Sequence, residues 1–362
     1  EIPHPVIALF GAPLPAGSSA FEIRQKVIEL GSGAFRYRLE NKMTLPEMFF
    51  NEMRAHPFAP CVADSTGREL NRLKTFSVSL ALSRKLEQKI GRDQFVGLLL
   101  PPSVGGVIAN VALSILGRVA VNLNYTASRE GLEHSARECG MRFVITARPV
   151  LEKLQLTPPG ELLFIEDVLK GLTSLDLFGA LLASVALPRV ISHRIIFRSW
   201  RNRSNAGLAT IVFTSGSTGI PKGVMLTHAN ISCELEGFYQ VFEIQRGDAF
   251  MGVLPFFHSF GFTATLWLPL ASGIRVAYHS NPLDAQEVGR MVKMHRATVI
   301  LATPTFLSAY TRRCATEEFV TLRIIVVGAE KLKSAVALAF QEKFGTMPLE
   351  GYGCTELSPI VS

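Results

Sequence analysis

The residues with the clearest chemical potential form a short loop rich in glycine and hydroxyl side chains. Residues 214–223 read Thr-Ser-Gly-Ser-Thr-Gly-Ile-Pro-Lys-Gly, directly after the apolar run 208–213. Glycine allows close backbone approach to a ligand, and successive N–H groups and hydroxyls can converge on an anion. Lys222 adds a positive charge suited to a phosphate. We therefore predict a buried strand, a phosphate-binding loop and a segment that starts a helix; the alternative is a flexible surface turn.

Three further segments carry polar groups beside apolar ones. Residues 254–262 read Leu-Pro-Phe-Phe-His-Ser-Phe-Gly-Phe, which sets His258 in an apolar wall suited to a carboxylate on a hydrocarbon. The alternative for this histidine is a satisfied core residue. Residues 324–332 read Ile-Ile-Val-Val-Gly-Ala-Glu-Lys-Leu, a buried strand followed by a turn. Residues 349–356 read Leu-Glu-Gly-Tyr-Gly-Cys-Thr-Glu, in which the tyrosine face suits a purine.

In this order, the four segments resemble the motifs of the adenylate-forming superfamily. The loop at 214–223 is not a Walker A motif, because no Gly-Lys-Ser/Thr closes it. Members activate a carboxylate with ATP, giving an acyl-adenylate and pyrophosphate, and then pass the acyl group to a thiol. The resemblance implies ATP and Mg²⁺ as cofactors, with catalytic roles for His258, Thr355 and Glu356. It implies Glu356 as the Mg²⁺ ligand and Thr214 as a second candidate ligand; the alternative for Glu356 is a surface carboxylate. The nucleotide-binding residues that it implies are Thr214, Ser215, Gly216, Ser217, Thr218, Gly219, Lys222, Gly328, Ala329, Glu330, Tyr352, Gly353 and Thr355.

Finer features are similar to the acyl-[acyl-carrier-protein] synthetase branch, best known fused to a 2-acylglycerophosphoethanolamine acyltransferase. They lie in residues 121–126, 254–261 and 328–332. This likeness implies an ATP-dependent ligase for long-chain fatty acids that serves lysophospholipid reacylation, with acyl carrier protein as the acceptor. A long-chain acyl-CoA synthetase would share these motifs, so coenzyme A stays open as the acceptor. The non-enzymatic alternative is an inactive module that binds only nucleotide, carrier or membrane.

The chain order predicts an α/β fold with layered, doubly wound and mostly parallel sheets, because strand-like and helix-like segments alternate. Residues 1–39, with a strand near residues 6–10 and a helix over 21–30, resemble the C-terminal tail of a glycerolipid acyltransferase, and a joint follows at 31–33. Residues 40–362 resemble the AMP-binding N-terminal domain. We divide it into a first half (40–150), an irregular basic segment (151–205) and a second half (206–362).

The resemblance also implies two further functional residues downstream of Glu356. Family members carry a downstream Asp that grips the ribose and a lid domain with a Lys, and neither follows Glu356 in this sequence. We expect the chain to be an excerpt of a longer protein. We also expect the 362 residues alone to have negligible acyl-adenylation activity.

Composition bears on location and partners. Apolar residues make up 48% of the chain, but prolines and polar groups interrupt the uncharged stretches 95–117 and 251–274, so we predict no transmembrane helix. Five scattered cysteines form no metal or disulfide spacing and favour the cytoplasm; in the full parent we predict the inner face of the cell membrane. The net charge of +7 includes a basic stretch that favours an anionic membrane or an acidic carrier, not nucleic acid, with a solvated linker as the alternative. Its arginines are Arg189, Arg194, Arg198, Arg201 and Arg203.

Overall fold

Two β-sheets organise the chain in the computed structural model, which describes residues 8–40, 43–200, 205–214 and 221–361. The strands are β1 Pro60–Asp64, β2 Glu69–Asn71, β3 Phe95–Leu99, β4 Val119–Asn122, β5 Phe143–Thr146, β6 Glu161–Phe164, β7 Leu208–Thr214, β8 Lys222–Thr227, β9 Ala249–Gly252, β10 Arg275–Tyr278, β11 Val299–Ala302, β12 Ile324–Val327 and β13 Leu349–Glu350.

The α-helices surround and separate these sheets. They are α1 Ala20–Glu40, α2 Leu45–Ala55, α3 Arg72–Ile90, α4 Val104–Ile115, α5 Arg129–Cys139, α6 Arg148–Leu154, α7 Ile165–Lys170, α8 Ser174–Val185, α9 Arg189–Ile196, α10 His228–Phe242, α11 Leu268–Ser272, α12 Ala285–His295, α13 Pro304–Arg313 and α14 Ser334–Phe344. A π-helical segment, Gly261–Trp267, precedes α11, and 3₁₀ turns lie at Thr316–Glu318 and Thr355–Leu357.

Both sheets are mostly parallel. The seven-stranded sheet has the order β13-β12-β11-β9-β10-β1-β2, and the six-stranded sheet has the order β6-β5-β3-β4-β7-β8. Among the described strands, only β1–β2 and β7–β8 pair in the antiparallel sense, each at one edge of its sheet. The predicted α/β class with mostly parallel sheets is therefore confirmed, although each sheet carries one antiparallel edge strand.

The main hydrophobic core lies between the two sheets. Nearly every residue of α4 is buried, and this helix packs against α3. Its one buried amide, Asn110, exchanges hydrogen bonds of 2.8 and 3.1 Å with Asn122 at the end of β4. Because a buried amide is costly without partners, this reciprocal pair sets α4 against β4.

Local sequence signals located several helices correctly. Helix α5 begins after the capping residue Ser128, and the strand predicted over residues 324–327 matches β12. The Ser103 hydroxyl accepts from the Gly106 amide at 3.1 Å at the start of α4. Thr303, followed by proline, caps α13 in the same way. Such caps satisfy backbone groups that the first helical turn leaves free.

The segment after the predicted phosphate loop forms a strand before its helix: residues 222–227 are β8, antiparallel to β7, and the predicted helix start is that of α10 at His228. Three other sequence predictions about local structure were wrong. No strand forms over residues 8–10, and residues 6–7 lie outside the described part of the chain. The glycines at 31 and 33 form no joint, because α1 continues through them. Much of residues 151–200, predicted as irregular, is helical, in α6 to α9.

Sheet membership also differs from the order of the chain. Strands β7 and β8, assigned by sequence to the second half, complete the sheet of β3 to β6. Strands β1 and β2, which the sequence prediction missed, join the sheet of β9 to β13. Each of the two sheets therefore contains strands from both predicted halves of the chain. The reason is that these strands are positioned by pairing between distant residues, which local sequence patterns do not encode.

The predicted absence of a membrane-spanning helix agrees with the structure as far as it is described. Within these residues, no helix combines the length and the apolar character needed to cross a bilayer.

Candidate active site

The candidate site lies where the parallel strands end. The segments after β9, β11, β12 and β13 carry, in turn, His258, Thr303, Ala329 and Tyr352. Because these four strands are neighbours in one sheet, their carboxyl ends meet along one edge. This edge is where open α/β sheets bind their ligands.

A large apolar cavity of about 780 Å³ opens at this edge. It also receives residues that follow β1, β3 and β4, so both sheets contribute to its walls. Tyr125 and Phe257 meet edge to face in this wall, with ring centroids 4.8 Å apart. Burial raises the pKa of Tyr125, so its phenol stays neutral. The volume and the apolar walls suit a ligand with a sizeable hydrocarbon part.

A smaller cleft of about 210 Å³ adjoins the cavity. The exposed ring of Tyr352 lines it, and the Val361 amide donates to the Tyr352 carbonyl at 2.8 Å. Gly353 pairs with Ile360 in an isolated antiparallel bridge. A Cβ atom at Gly353 would collide with the Pro359 carbonyl oxygen. Glycine is therefore required here for packing, a reason that differs from the nucleotide contact predicted from the motif.

Three residues belong to both spaces: His258, Phe260 and Ala329 line the cavity and the cleft alike. The imidazole of His258 faces the open cleft, yet the surrounding walls limit its hydration and lower its pKa, which favours the neutral ring. A neutral imidazole can donate one hydrogen bond at this junction. His258 therefore lies at the junction of the two spaces, with Phe257 and Phe260 in the neighbouring wall.

The backbone around His258 is unusual. The π-helical segment Gly261–Trp267 begins three residues later, and such turns are frequent near functional sites. A Cβ atom at Gly261 would collide with the Pro255 carbonyl oxygen. Close contact between these two backbone segments therefore fixes the turn that carries His258.

The Gly-Ala turn after β12 is strained at its second residue. Ala329 has φ of 66°, in the left-handed region, whereas Gly328 does not need its conformational freedom. Strained residues of this kind cluster at ligand sites. Glu330 was predicted to contact the nucleotide, but it lines neither the cavity nor the smaller cleft. Its carboxylate accepts a hydrogen bond of 2.7 Å from the Thr305 hydroxyl.

Thr355 and Glu356 lie in the 3₁₀ turn that closes the smaller cleft. The buried Ser259 hydroxyl lies 3.4 Å from the Thr355 hydroxyl, which connects this turn to the His258 segment. Glu356 is exposed and has no hydrogen bond or ion pair among the described residues. Mg²⁺ is usually held by one or two carboxylates with phosphate and water oxygens, so this free carboxylate fits the ion. The described residues contain no cluster of three or more His, Cys, Asp or Glu side chains placed to hold a metal.

The structure shows the two ends of the predicted phosphate loop. Thr214 and Lys222 are paired residues on β7 and β8, so the loop connects two antiparallel strands at a hairpin end. The predicted residues Ser215, Gly216, Ser217, Thr218 and Gly219 lie outside the described part of the chain. Strand β8 packs against the turn Thr355–Leu357, so the hairpin lies near the segment that carries Glu356.

Sequence reasoning missed several residues of the site. Phe260 was part of a quoted motif but received no role, and its place in both spaces appears only in three dimensions. Ser259 was likewise without a role. Glu234 on α10 carried no signal at all, because it lies more than a hundred residues from the segment that it contacts. Its half-buried carboxylate lies beside the Ile360 amide, which belongs to the strand-like pair with Gly353.

Glu234 should make stability depend on pH. Burial raises the pKa of its carboxyl from 4.5 to about 7. A raised carboxyl pKa adds stability below the unfolded value, and this stability is lost as pH rises from about 4.5 to 7. We expect Glu234→Gln to stabilise the chain by about 1 kcal/mol at about pH 8, a figure reduced for the half-buried position, with little effect at about pH 4.

Urea unfolding at the two pH values measures this effect. Glu342→Gln, which alters an exposed carboxylate on α14, serves as the control and should change neither value. Equal behaviour of the two variants would contradict the role of Glu234.

Comparison with known proteins identifies the family and the fold of this chain. The chain is 28% identical over 348 residues to a long-chain-fatty-acid–CoA ligase of Yersinia pestis, covering 88% of this chain and 61% of that protein. It is 27% identical over 350 residues to a long-chain-fatty-acid–CoA ligase of Haemophilus influenzae, covering 87% and 61%. The chain thus spans less than two thirds of these relatives.

The fold is also similar to that of unliganded O-succinylbenzoate coenzyme A synthetase of Bacillus subtilis. The TM-score is 0.69 at 19% identity, covering 87% of this chain and 60% of that one. Two mostly parallel sheets with a cleft at their carboxyl edges are the fold of the adenylate-forming N-terminal domain. Residues 49–362 match the model of the AMP-binding enzyme family, so the chain belongs to that family.

Proposed function

We propose that the chain binds ATP and a long-chain fatty acid, as the adenylating part of an acid–thiol ligase whose full-length protein joins them. One observation supports this most strongly: the apolar cavity and the smaller cleft meet at His258, Phe260 and Ala329. An acid whose hydrocarbon fills the cavity would present its carboxylate where the cleft begins. Family membership and the names of the two bacterial relatives agree with this substrate class.

In the proposed reaction, a carboxylate oxygen forms a bond to the α-phosphorus of ATP. The bond from that phosphorus to the bridging oxygen breaks, and pyrophosphate leaves with the electron pair. Tyr352 stacks on the adenine, and the Gly328–Ala329 turn forms the wall of its pocket. Neutral His258 donates to the carboxylate and orients it. Such catalysis consists mainly of positioning and charge stabilisation.

The phosphates would lie on the side of the cleft near the β7–β8 hairpin. In this proposal, loop residues 214–223 and Lys222 bind the β- and γ-phosphates, and Thr355 contacts the α-phosphate. Glu356, with Thr214 as a second candidate, would hold Mg²⁺, which supplies neutralisation of the phosphate charge. The packing of β8 against the turn Thr355–Leu357 supports this arrangement.

The acceptor thiol is coenzyme A or acyl carrier protein. The names of the relatives support coenzyme A, whereas the motif resemblance in residues 121–126, 254–261 and 328–332 supports the carrier protein. The same resemblance supports residues 1–39 as the tail of an acyltransferase domain. Helix α1 has exposed Phe21, Val27 and Ile28, which would suit packing against another folded unit. Thioester formation by the full-length protein with each acceptor would distinguish the two.

Non-hydrolysable acyl-sulfamoyl adenosines test the binding site directly, since they join an acyl chain to an adenosine. We expect calorimetric affinity for the chain to rise from acetyl to hexadecanoyl analogues, because the longer chain fills the apolar cavity. Affinity that is independent of chain length would contradict the fatty-acid assignment. An absence of binding by every analogue would contradict the adenylating function.

Tyr352→Ala should weaken binding of all these analogues. Stacking of a base on an aromatic ring contributes about 1–3 kcal/mol, so we expect the Kd to rise about tenfold or more. Tyr352→Phe retains the ring and should keep the Kd near that of the unchanged chain. An unaltered Kd in Tyr352→Ala would place the adenine elsewhere.

A further inference from the structure

Helix α8 is apolar on two opposite faces. Its inner face packs against α3 and buries Ala180 and Ala183. Its outer face carries Leu175, which is 79% exposed, and Phe178, which is 56% exposed. A helix that is apolar all round is normally buried, so the outer face of α8 requires a partner.

Helix α9 extends this exposed apolar face. It packs against α8 and buries Ile196, while Val190 and Ile191 on its other side are exposed. We call the combined patch the α8–α9 surface. Its apolar side chains are Leu175, Phe178, Leu182, Val190, Ile191 and Ile195. Contiguous exposed apolar groups of this kind mark interaction sites.

The charge beside this patch is positive. Arg194 is exposed and has no hydrogen bond or ion pair among the described residues. The Arg189 guanidinium donates to the Asn51 side-chain oxygen at 2.5 Å and makes no ion pair among the described residues. The single acidic residue within α8 and α9 is Asp176, and Lys85 neutralises it at 3.2 Å.

We propose that the α8–α9 surface docks the chain on an anionic lipid bilayer, with both helices lying in the plane of the interface. Interfacial helices bury large apolar side chains at the headgroup boundary and place arginines among anionic headgroups. An acidic carrier protein would be recognised mainly by the charges, and it would leave the uncharged outer face of α8 uncovered. The apolar centre of the surface therefore favours lipid as the occupant. This inference does not depend on the proposed enzymatic function.

Vesicle sedimentation of the whole chain tests the proposal. We expect stronger binding to vesicles of phosphatidylcholine mixed with phosphatidylglycerol than to phosphatidylcholine alone, with the difference removed by high salt. Arg189→Gln with Arg194→Gln should weaken binding to the anionic vesicles about 30-fold, since each arginine near the surface contributes about 1 kcal/mol. Phe178→Gln with Leu182→Gln should weaken binding to both vesicle types about 100-fold.

Matched variants elsewhere on the chain distinguish specific binding by the α8–α9 surface from nonspecific binding of the protein to vesicles. Val241→Gln with Leu338→Gln removes two exposed apolar groups, and Arg312→Gln with Arg313→Gln removes two exposed charges. Neither pair should alter binding by more than about twofold. Circular dichroism confirms that each variant is folded.

Three results would overturn the proposal. The first is that the unchanged chain does not bind anionic vesicles. The second is that the control pairs weaken binding as much as the α8–α9 pairs. The third is that light scattering shows a dimer that Phe178→Gln with Leu182→Gln dissociates, which would assign the surface to a second copy of the chain.

Discussion

Replacement of Gly353 by alanine is expected to abolish detectable nucleotide binding while leaving the chain folded. The added Cβ atom would collide with the Pro359 carbonyl oxygen, so the bridge between Gly353 and Ile360 cannot persist. The collision is between backbone segments, and no side-chain rotation relieves it. Because the main hydrophobic core lies between the two sheets, the segment 351–361 should move away while the core keeps its packing.

The expected loss of ATP affinity follows from the residues that the segment 351–361 carries. Tyr352 and Thr355 both move with it, and loss of base stacking alone costs about 1–3 kcal/mol. Loss of a hydrogen bond to a charged phosphate adds about 1.5–3 kcal/mol. Affinity for ATP should therefore fall at least about 100-fold, measured by calorimetry with Mg²⁺ present.

Gly237→Ala is the matched control for this substitution. Gly237 lies in α10, has ordinary backbone angles, and has open space where a Cβ atom would be. Alanine there should stabilise the chain by about 0.5–1 kcal/mol and leave nucleotide affinity unchanged. Normal ATP affinity in the Gly353→Ala variant would show that residues 351–361 do not form the nucleotide pocket.

Replacement of Asp248 by alanine should give the largest loss of stability. This buried carboxylate precedes β9 and accepts from Thr298, which precedes β11, at 2.6 Å. Arg323, which precedes β12, donates to both of its oxygens at 2.9 and 2.5 Å. One side chain thus ties the amino ends of three neighbouring strands whose carboxyl ends carry the site.

Removal of Asp248 leaves the Arg323 charge and the Thr298 hydroxyl without their partner. Breaking a buried ion pair in this way costs about 3 kcal/mol or more. Urea unfolding at neutral pH measures the loss. Asp167→Ala is the matched control, because Asp167 makes a similar two-oxygen pair with Arg148 in an exposed position, at 2.8 and 2.6 Å. An exposed pair contributes little, so equal effects of the two variants would contradict this account.

The pH dependence of the Asp248 effect follows from its pKa. Burial acts to raise that pKa, but hydrogen bonds from Arg323, Thr298 and the Gln245 amide lower it below its ordinary value. A lowered carboxyl pKa adds stability above the unfolded value of about 3.9, and this stability is lost as pH falls through the folded pKa. The difference between Asp248→Ala and the unchanged chain should therefore shrink only below about pH 3.9.

The sequence by itself determined the elements whose signals are local. Strand β12 is a run of β-branched residues, and α4, α12 and α13 each begin at a capping side chain, so a short window of residues is sufficient to find them. It also predicted which segments carry the chemistry, since His258 and Tyr352 stand in motifs with recognisable composition. These segments do converge at one edge of a sheet, because all of them follow parallel strands.

Only the tertiary structure decided which strands share a sheet, because pairing at an edge depends on contacts between distant residues. It placed strand β8 between the predicted phosphate loop and the helix that begins at His228, since antiparallel pairing with β7 satisfies the backbone of residues 222–227. It joined the apolar cavity to the smaller cleft at Phe260 and Ala329, and brought Glu234 to Ile360. It also left the outer face of α8 exposed, whereas apolar composition alone would predict burial. Composition and local pattern specify the secondary structure that a segment can form, whereas long-range packing specifies which other segments it contacts.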